Sequence, residues 1–114
     1  MKHEESYMQE AVIAVLKRQY QDALFTGGFA GEKLGIGAAV RRKRMGYLPG
    51  SPDIMLLEPK GKYCGLFIEM KSSTGKLSPA QIEFGFKAAD RGYKYVVCNS
   101  SHSAITEISN YMAQ

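Results

Sequence analysis

PGSPDIMLLEPKGKYCGLFIEMK, residues 49–71, is the stretch on which the fold turns. Two apolar runs, Ile54 to Leu57 and Leu66 to Met70, flank Glu58-Pro59-Lys60-Gly61-Lys62, whose proline and glycine mark a turn between two strands. The stretch therefore predicts a β-hairpin. Asp53 opens the first strand, whereas Glu69 and Lys71 close the second. Residues two apart on a strand point to the same face, so two carboxylates and an ammonium converge at one end of the hairpin. Both strand faces are apolar, with Met55 and Leu57 against Ile54 and Leu56, and Phe67 against Leu66 and Ile68, so both faces of the sheet must be covered. Ionisable groups ending such strands are costly to bury unless a cation or hydrogen bonds compensate them. If exposed instead, Glu69 and Lys71 form a same-face ion pair worth under about 1 kcal/mol.

Upstream, residues 4 to 20 have helical periodicity, with Met8, Val12, Val15 and Leu16 as the apolar stripe. Glu5 and Gln9 lie one turn apart on a face that continues through Val12 and Leu16; Glu5 also suits a helix amino terminus through the dipole. Ala23-Leu24-Phe25-Thr26 reads as a short strand ended by Gly27-Gly28. The glycines that follow lack both GxGxxG and Walker spacing, which argues against a nucleotide cofactor. Lys33 to Met45 reads as a weak helix with Ala38, Ala39 and Val40 as its apolar part. Its end carries the densest basic run, Arg41-Arg42-Lys43-Arg44, just before the Gly46-to-Gly50 turn. Such a run is either a solvated helix end complementing its own dipole or a set of phosphate contacts.

Downstream, Ser78, Pro79 and Gln81 carry the signals of a helix start: an N-cap, a first-turn proline and half of a capping box. Phe84, Ala88 and Ala89 supply its buried face, and Gly92 suits the position past its end. Tyr93 to Cys98 predicts a strand, Asn99-Ser100-Ser101 a turn, and Ile105, Ile108 and Met112 a last helix.

The 114 residues suffice for one domain, 1–114, with a core that needs no disulfide or structural metal. The 45% hydrophobic and 23% charged fractions are those of an ordinary globular chain, and no apolar run approaches the roughly 20 residues of a membrane span. The first residues lack the apolar core of a signal peptide. Cys64 and Cys98 lie in apolar strand contexts without CxxC spacing and read as buried thiols of a reducing compartment. Neither His3 nor His102 neighbours the charged cluster, and both read as surface residues. A net charge of +4 makes a polyanionic partner plausible without naming one.

Hard divalent cations such as Mg²⁺ take oxygen ligands, usually one or two carboxylates completed by water and substrate phosphate. Asp53 and Glu69 supply that donor type, and Lys71 could stabilise charge developing on a phosphate. Pro52-Asp53 followed, with fifteen residues between, by Glu69-Met70-Lys71 resembles the PD-(D/E)xK nuclease motif. Gly50-Ser51-Pro52-Asp53, Leu77-Ser78-Pro79-Ala80-Gln81, the strand after Gly92, and Glu5 with Gln9 on the first helix narrow the resemblance to the virus-type replication-repair nuclease (VRR-NUC) domain, from Glu5 to about Cys98.

The resemblance implies a restriction-endonuclease-like three-layer α/β core, a central mixed sheet flanked by helices. It also implies a Mg²⁺- or Mn²⁺-dependent DNA endonuclease. Asp53, Glu69, the Met70 carbonyl and Glu5 through water would hold the metal, Lys71 would position the attacking water, and Gln81 would lie beside the site. The position of Arg41, Arg42, Lys43 and Arg44 beside this site favours DNA phosphate contact over a merely solvated helix end. Stand-alone members of the family look like phage resolvases of Holliday junctions and other branched DNA. That places the expected chain in the cytoplasm of a bacterial or phage-infected cell, in DNA repair or replication, and because so short a chain has little surface to hold a duplex, a homodimer is expected. The alternative is a non-catalytic nucleic-acid-binding module or a subunit of a replication or repair assembly.

Overall fold

The hairpin forms and becomes the middle of a four-stranded sheet. In the computed structural model, which describes residues 2–28 and 35–114 with Lys2 and His3 as backbone only, the elements are α1 (Lys2–Gln19), β1 (Phe25–Gly27), α2 (Ile36–Arg44), β2 (Ile54–Leu56), β3 (Gly65–Met70), α3 (Pro79–Asp90), β4 (Tyr93–Cys98) and α4 (Ser101–Met112). The sheet order is β1-β2-β3-β4. β1 and β2 pair antiparallel, as do β2 and β3, while β4 runs parallel to β3. A parallel neighbour requires a crossover, and α3 provides it.

Strand alternation decides which layer each residue enters. Ile54, Leu56, Leu66, Ile68, Met70 and Cys98 share one face and pack with Val12 and Leu16 of α1 and Ala104, Ile108 and Tyr111 of α4. Burying a Leu or Ile side chain this completely contributes roughly 1.5–3 kcal/mol, so this layer anchors the fold. Phe67, Tyr93 and Tyr95 lie on the other face under α3. There Phe67 stacks on Tyr93 at 4.5 Å between ring centroids, and Phe84 of α3 tilts against Phe67 at 6.1 Å and Tyr95 at 6.5 Å. The result is a mixed sheet between a two-helix layer and a one-helix layer, the three-layer α/β architecture expected.

Several local expectations shift. The first strand is Phe25–Gly27 rather than residues 23–26: the Leu24 amide turns to the Glu58 carboxylate (2.7 Å) and the Leu24 side chain stays exposed. Ile13 joins the packing of α1 where Val15 was expected. Ala88 is buried but Ala89 is exposed, because a single helix covers that face of the sheet and the Ala89 side of α3 is left uncovered. Cys64 is exposed too, at the strand end beside the close of α3, where its thiol donates to the Arg91 carbonyl at 3.8 Å; Cys98 is buried as expected, and neither forms a disulfide. α2 buries no residue, its apolar Ala38, Ala39 and Val40 included. Lys33 and Leu34 of the expected helix, and the His3 side chain, lie outside the described residues; His102 is exposed as expected. The last helix starts at Ser101 with Ser100 as its cap, the Ser103 amide donating to Ser100 Oγ at 3.0 Å. No helix among the described residues is long and apolar enough to cross a membrane.

Candidate active site

The register Ile54↔Ile68 continues by one pair to Asp53 opposite Glu69. Two carboxylates therefore face each other where β2 begins and β3 ends, and both are buried, Asp53 at 6% exposure and Glu69 at 2%. Backbone contacts fix Asp53 from two sides. The Met70 amide donates to its Oδ2 at 2.7 Å. Its carbonyl accepts from the Gly28 amide at 2.6 Å and from Gln9 Nε2 at 3.1 Å. Gly27-Gly28 thus carries the chain edge-on against Asp53, and Gln9 of α1 pins the same peptide.

Burial makes this pairing expensive in its charged form. It pushes the Glu69 carboxyl up from 4.5 to about 9, helped by the facing Asp53 and opposed by Lys71. Burial also raises Asp53, against the Met70 amide and Glu69, which lower it. Without a cation the pair therefore keeps a proton at neutral pH. One Glu69 oxygen, Oε2, accepts from Gln81 Nε2 at 2.9 Å. The other, Oε1, is buried and accepts from no N–H or hydroxyl donor, so the pair is held together only by the hydrogen bond that the retained proton makes between Asp53 and Glu69. Two hard oxygens held together in need of positive charge, one of them unsatisfied, suit a divalent cation that completes its coordination with water.

Gln81 performs two tasks at once. Its Oε1 accepts from the Ser78 amide at 2.8 Å while Ser78 Oγ accepts from the Gln81 amide at 3.2 Å, closing the capping box. That leaves Nε2 free to reach Glu69, so the cap and the site contact share one amide whose orientation the cap dictates. The start of α3 is held close by Gly50: its φ of +86 admits few side chains, and a Cβ there would overlap the Ala80 carbonyl.

Lys71 follows β3 immediately, half-buried, its amide donating to the Cys98 carbonyl at 2.9 Å. Its charge lowers both carboxyls, placing the ammonium within electrostatic reach of the pair. Glu5 arrives from the start of α1. Its Oε2 accepts from the amide of buried Ser72 at 3.1 Å, and its charge raises both Asp53 and Glu69. It stands beside the pair rather than as a third converging carboxylate; among the described residues no three His, Cys, Asp or Glu side chains gather closely enough to hold an ion. The basic run lies at the end of α2, with Arg41, Lys43 and Arg44 exposed and Arg42 half-buried. Segment 46–52 links it to Asp53.

Sequence reasoning brought Asp53, Glu69, Lys71, Gln81 and Glu5 into one neighbourhood, and the structure gathers all five. It did not anticipate that Gln9 holds the Asp53 backbone or that Ser72 anchors Glu5, because neither contact leaves a trace in local spacing. The buried hydroxyl of Tyr95 on the same sheet face was also missed; aromatic residues are ordinary in strands, so no local signal marked it.

No curated protein matches the chain. One solved structure, described as a VRR_NUC domain protein, is 28% identical; the likeness covers 96% of this chain and 88% of that one, with a TM-score of 0.80. The family model of the VRR-NUC domain matches residues 4–102, taking in Glu5, Asp53, Glu69, Lys71 and Gln81. A nuclease-type fold with the paired carboxylates at its centre, matched over this span, makes the chain a member of the VRR-NUC domain family.

Proposed function

We propose that the chain is a Mg²⁺- or Mn²⁺-dependent endodeoxyribonuclease that hydrolyses phosphodiester bonds in branched DNA such as Holliday junctions. The observation that carries this reading is the facing Asp53 and Glu69 carboxyls, buried, raised and with Glu69 Oε1 unpartnered, beside the charge of Lys71. Asp53, Glu69 and the Met70 carbonyl would hold the cation, with Glu5 reaching it through water. When bound, the cation supplies Lewis-acid activation of the phosphate and of the attacking water. The chain's residues do the rest. Gln81 keeps Glu69 turned toward Asp53. Lys71 orients the water and stabilises the negative charge that builds on the phosphate oxygens.

Arg41, Lys43 and Arg44 are exposed on a helix that buries nothing and would neutralise backbone phosphates together with Arg42. A backbone-reading contact suits selection by DNA shape rather than by base sequence. A homodimer would set two sites on the two strands of a junction. The groove of about 320 Å³ between α3 and β4, lined by exposed Ile82, Phe86 and Val97, is the apolar surface such pairing would use. Two free thiols accord with the reducing cytoplasm of a bacterial or phage-infected cell.

The test is cleavage of labelled four-way-junction, flap, single-stranded and linear duplex DNA with Mg²⁺, Mn²⁺ or EDTA, alongside light scattering of the protein in solution. Metal-dependent cutting that favours the junction, by a particle of twice the monomer mass, supports the reading. Equal binding of all four with no cutting replaces it with a DNA-binding module.

A further inference from the structure

Two buried side-chain polar atoms lack a partner among the described residues, Glu69 Oε1 and the Tyr95 hydroxyl. They lie on one face of the sheet. In the parallel ladder Phe67 stands opposite Tyr95 and Glu69 opposite Val97, so Tyr95 sits one same-face step from Glu69. α3 brings them together a second way. Gln81, which donates to Glu69, and Gly85, which lies flat against the Tyr95 ring, are one turn apart on the same helix face. A Cβ on Gly85 would come within 2.9 Å of Tyr95 Cε2, so this ring position requires glycine above it. The ring is thereby held flat under α3, and its buried hydroxyl is near enough to feel the charges of Glu69 and Asp53.

An unpaired buried hydroxyl costs stability, and phenylalanine would fill the same space without that cost. The unpaired atoms are also complementary, one a donor and the other an acceptor. Carboxylates that bind metals are commonly held by such outer partners. Resting on the metal-dependent reading above, we propose that Tyr95 is a positioning residue for Glu69. With a cation held at the site, the Tyr95 hydroxyl would donate to Glu69 Oε1, directly or through one water, and hold the carboxylate against Asp53. Before that, the hydroxyl waits without a partner.

Tyr95→Phe keeps the ring packing and removes only the donor. Two readouts that need no turnover test the idea: calorimetric Mn²⁺ titration, and thermal unfolding in EDTA, each for wild type, Tyr95→Phe and Glu69→Ala. In EDTA, Tyr95→Phe should melt at the wild-type temperature or up to roughly 6 °C above it. Its affinity for Mn²⁺ should weaken by roughly 10- to 100-fold. Unchanged Mn²⁺ affinity with raised stability overturns the proposal, since the hydroxyl would then serve nothing at the site. A clear loss of stability in EDTA overturns it as well, because the hydroxyl would already have a metal-independent bond. If wild type and Glu69→Ala bind Mn²⁺ equally weakly, the metal-dependent reading itself falls and takes the Tyr95 role with it.

Discussion

Replacing Glu69 by glutamine isolates the cost of holding two carboxyls in the core. Glu69 is 2% exposed, and burial with the facing Asp53 lifts its carboxyl from 4.5 to about 9. Between those values the folded chain keeps a proton that the unfolded chain has released. The associated stability is therefore fully present below about 4.5 and lost as pH rises toward 9. One proton is worth up to about 1.4 kcal/mol per pH unit in that window, so the limit from about pH 5 to pH 8 is about 4 kcal/mol. Structural relaxation and an effective dielectric well above that of dry protein reduce this, leaving about 2–4 kcal/mol. For a chain of this size roughly 1 kcal/mol moves Tm by 3–6 °C, so metal-free wild type should lose roughly 10 °C across the range. Glutamine keeps the shape of the protonated acid and cannot ionise, so Glu69→Gln should flatten most of that fall. The comparison cancels the titrating groups away from the site and reports on Glu69 together with its coupled partner Asp53. Thermal unfolding in EDTA at half-unit pH steps measures it. Added Mg²⁺ near pH 8 should recover wild-type stability and leave the variant unmoved. Parallel pH profiles for the two proteins would refute the reasoning.

Gln81 separates its two tasks by substitution: Gln81→Ala loses the capping box and should cost about 1–2 kcal/mol at any pH, whereas Gln81→Glu keeps a cap but sets a carboxylate beside Glu69, so its stability in EDTA should fall with pH more steeply than that of wild type. Gly50→Ala combines a left-handed φ with overlap against the Ala80 carbonyl and should cost more than about 2 kcal/mol by chemical denaturation. Removing three exposed charges of α2, in Arg41→Ala, Lys43→Ala and Arg44→Ala together, should leave Tm within the error of a surface change. It should also reduce the slope of log binding constant against log salt for duplex DNA by about 2–3.

Much of this was legible because the deciding signals are local. The hairpin declares itself through Pro59 and Gly61, the start of α3 through Ser78-Pro79-Ala80-Gln81, and the facing of Asp53 and Glu69 follows once a single register is fixed. What the sequence concealed is where elements press against one another. Periodicity cannot say that one face of the sheet receives two helices and the other a single helix, and that asymmetry exposes Ala89, Ile82 and Phe86. Cys64 looked buried because its neighbours are apolar, yet it sits just before β3, beside the end of α3, and stays exposed. Gln81 offered two readings by spacing, a cap or a site residue. Only the position of Glu69 relative to α3 revealed that its amide serves both. The contacts of Gln9 with Asp53 and of Glu5 with Ser72 span 44 and 67 residues of chain, separations at which local pattern carries no information.

The central claim is that the facing carboxyls exist to hold a cation against a phosphate. Its most direct test is single-turnover cleavage of a pre-bound four-way junction by wild type and Asp53→Asn, started with Mn²⁺ or Mg²⁺, with DNA binding measured in parallel. Cutting by wild type should stop in EDTA, and the rate for Asp53→Asn should be lower by at least about a hundredfold while the junction stays bound. Cutting by Asp53→Asn at the wild-type rate, or cutting that persists in EDTA, would contradict it.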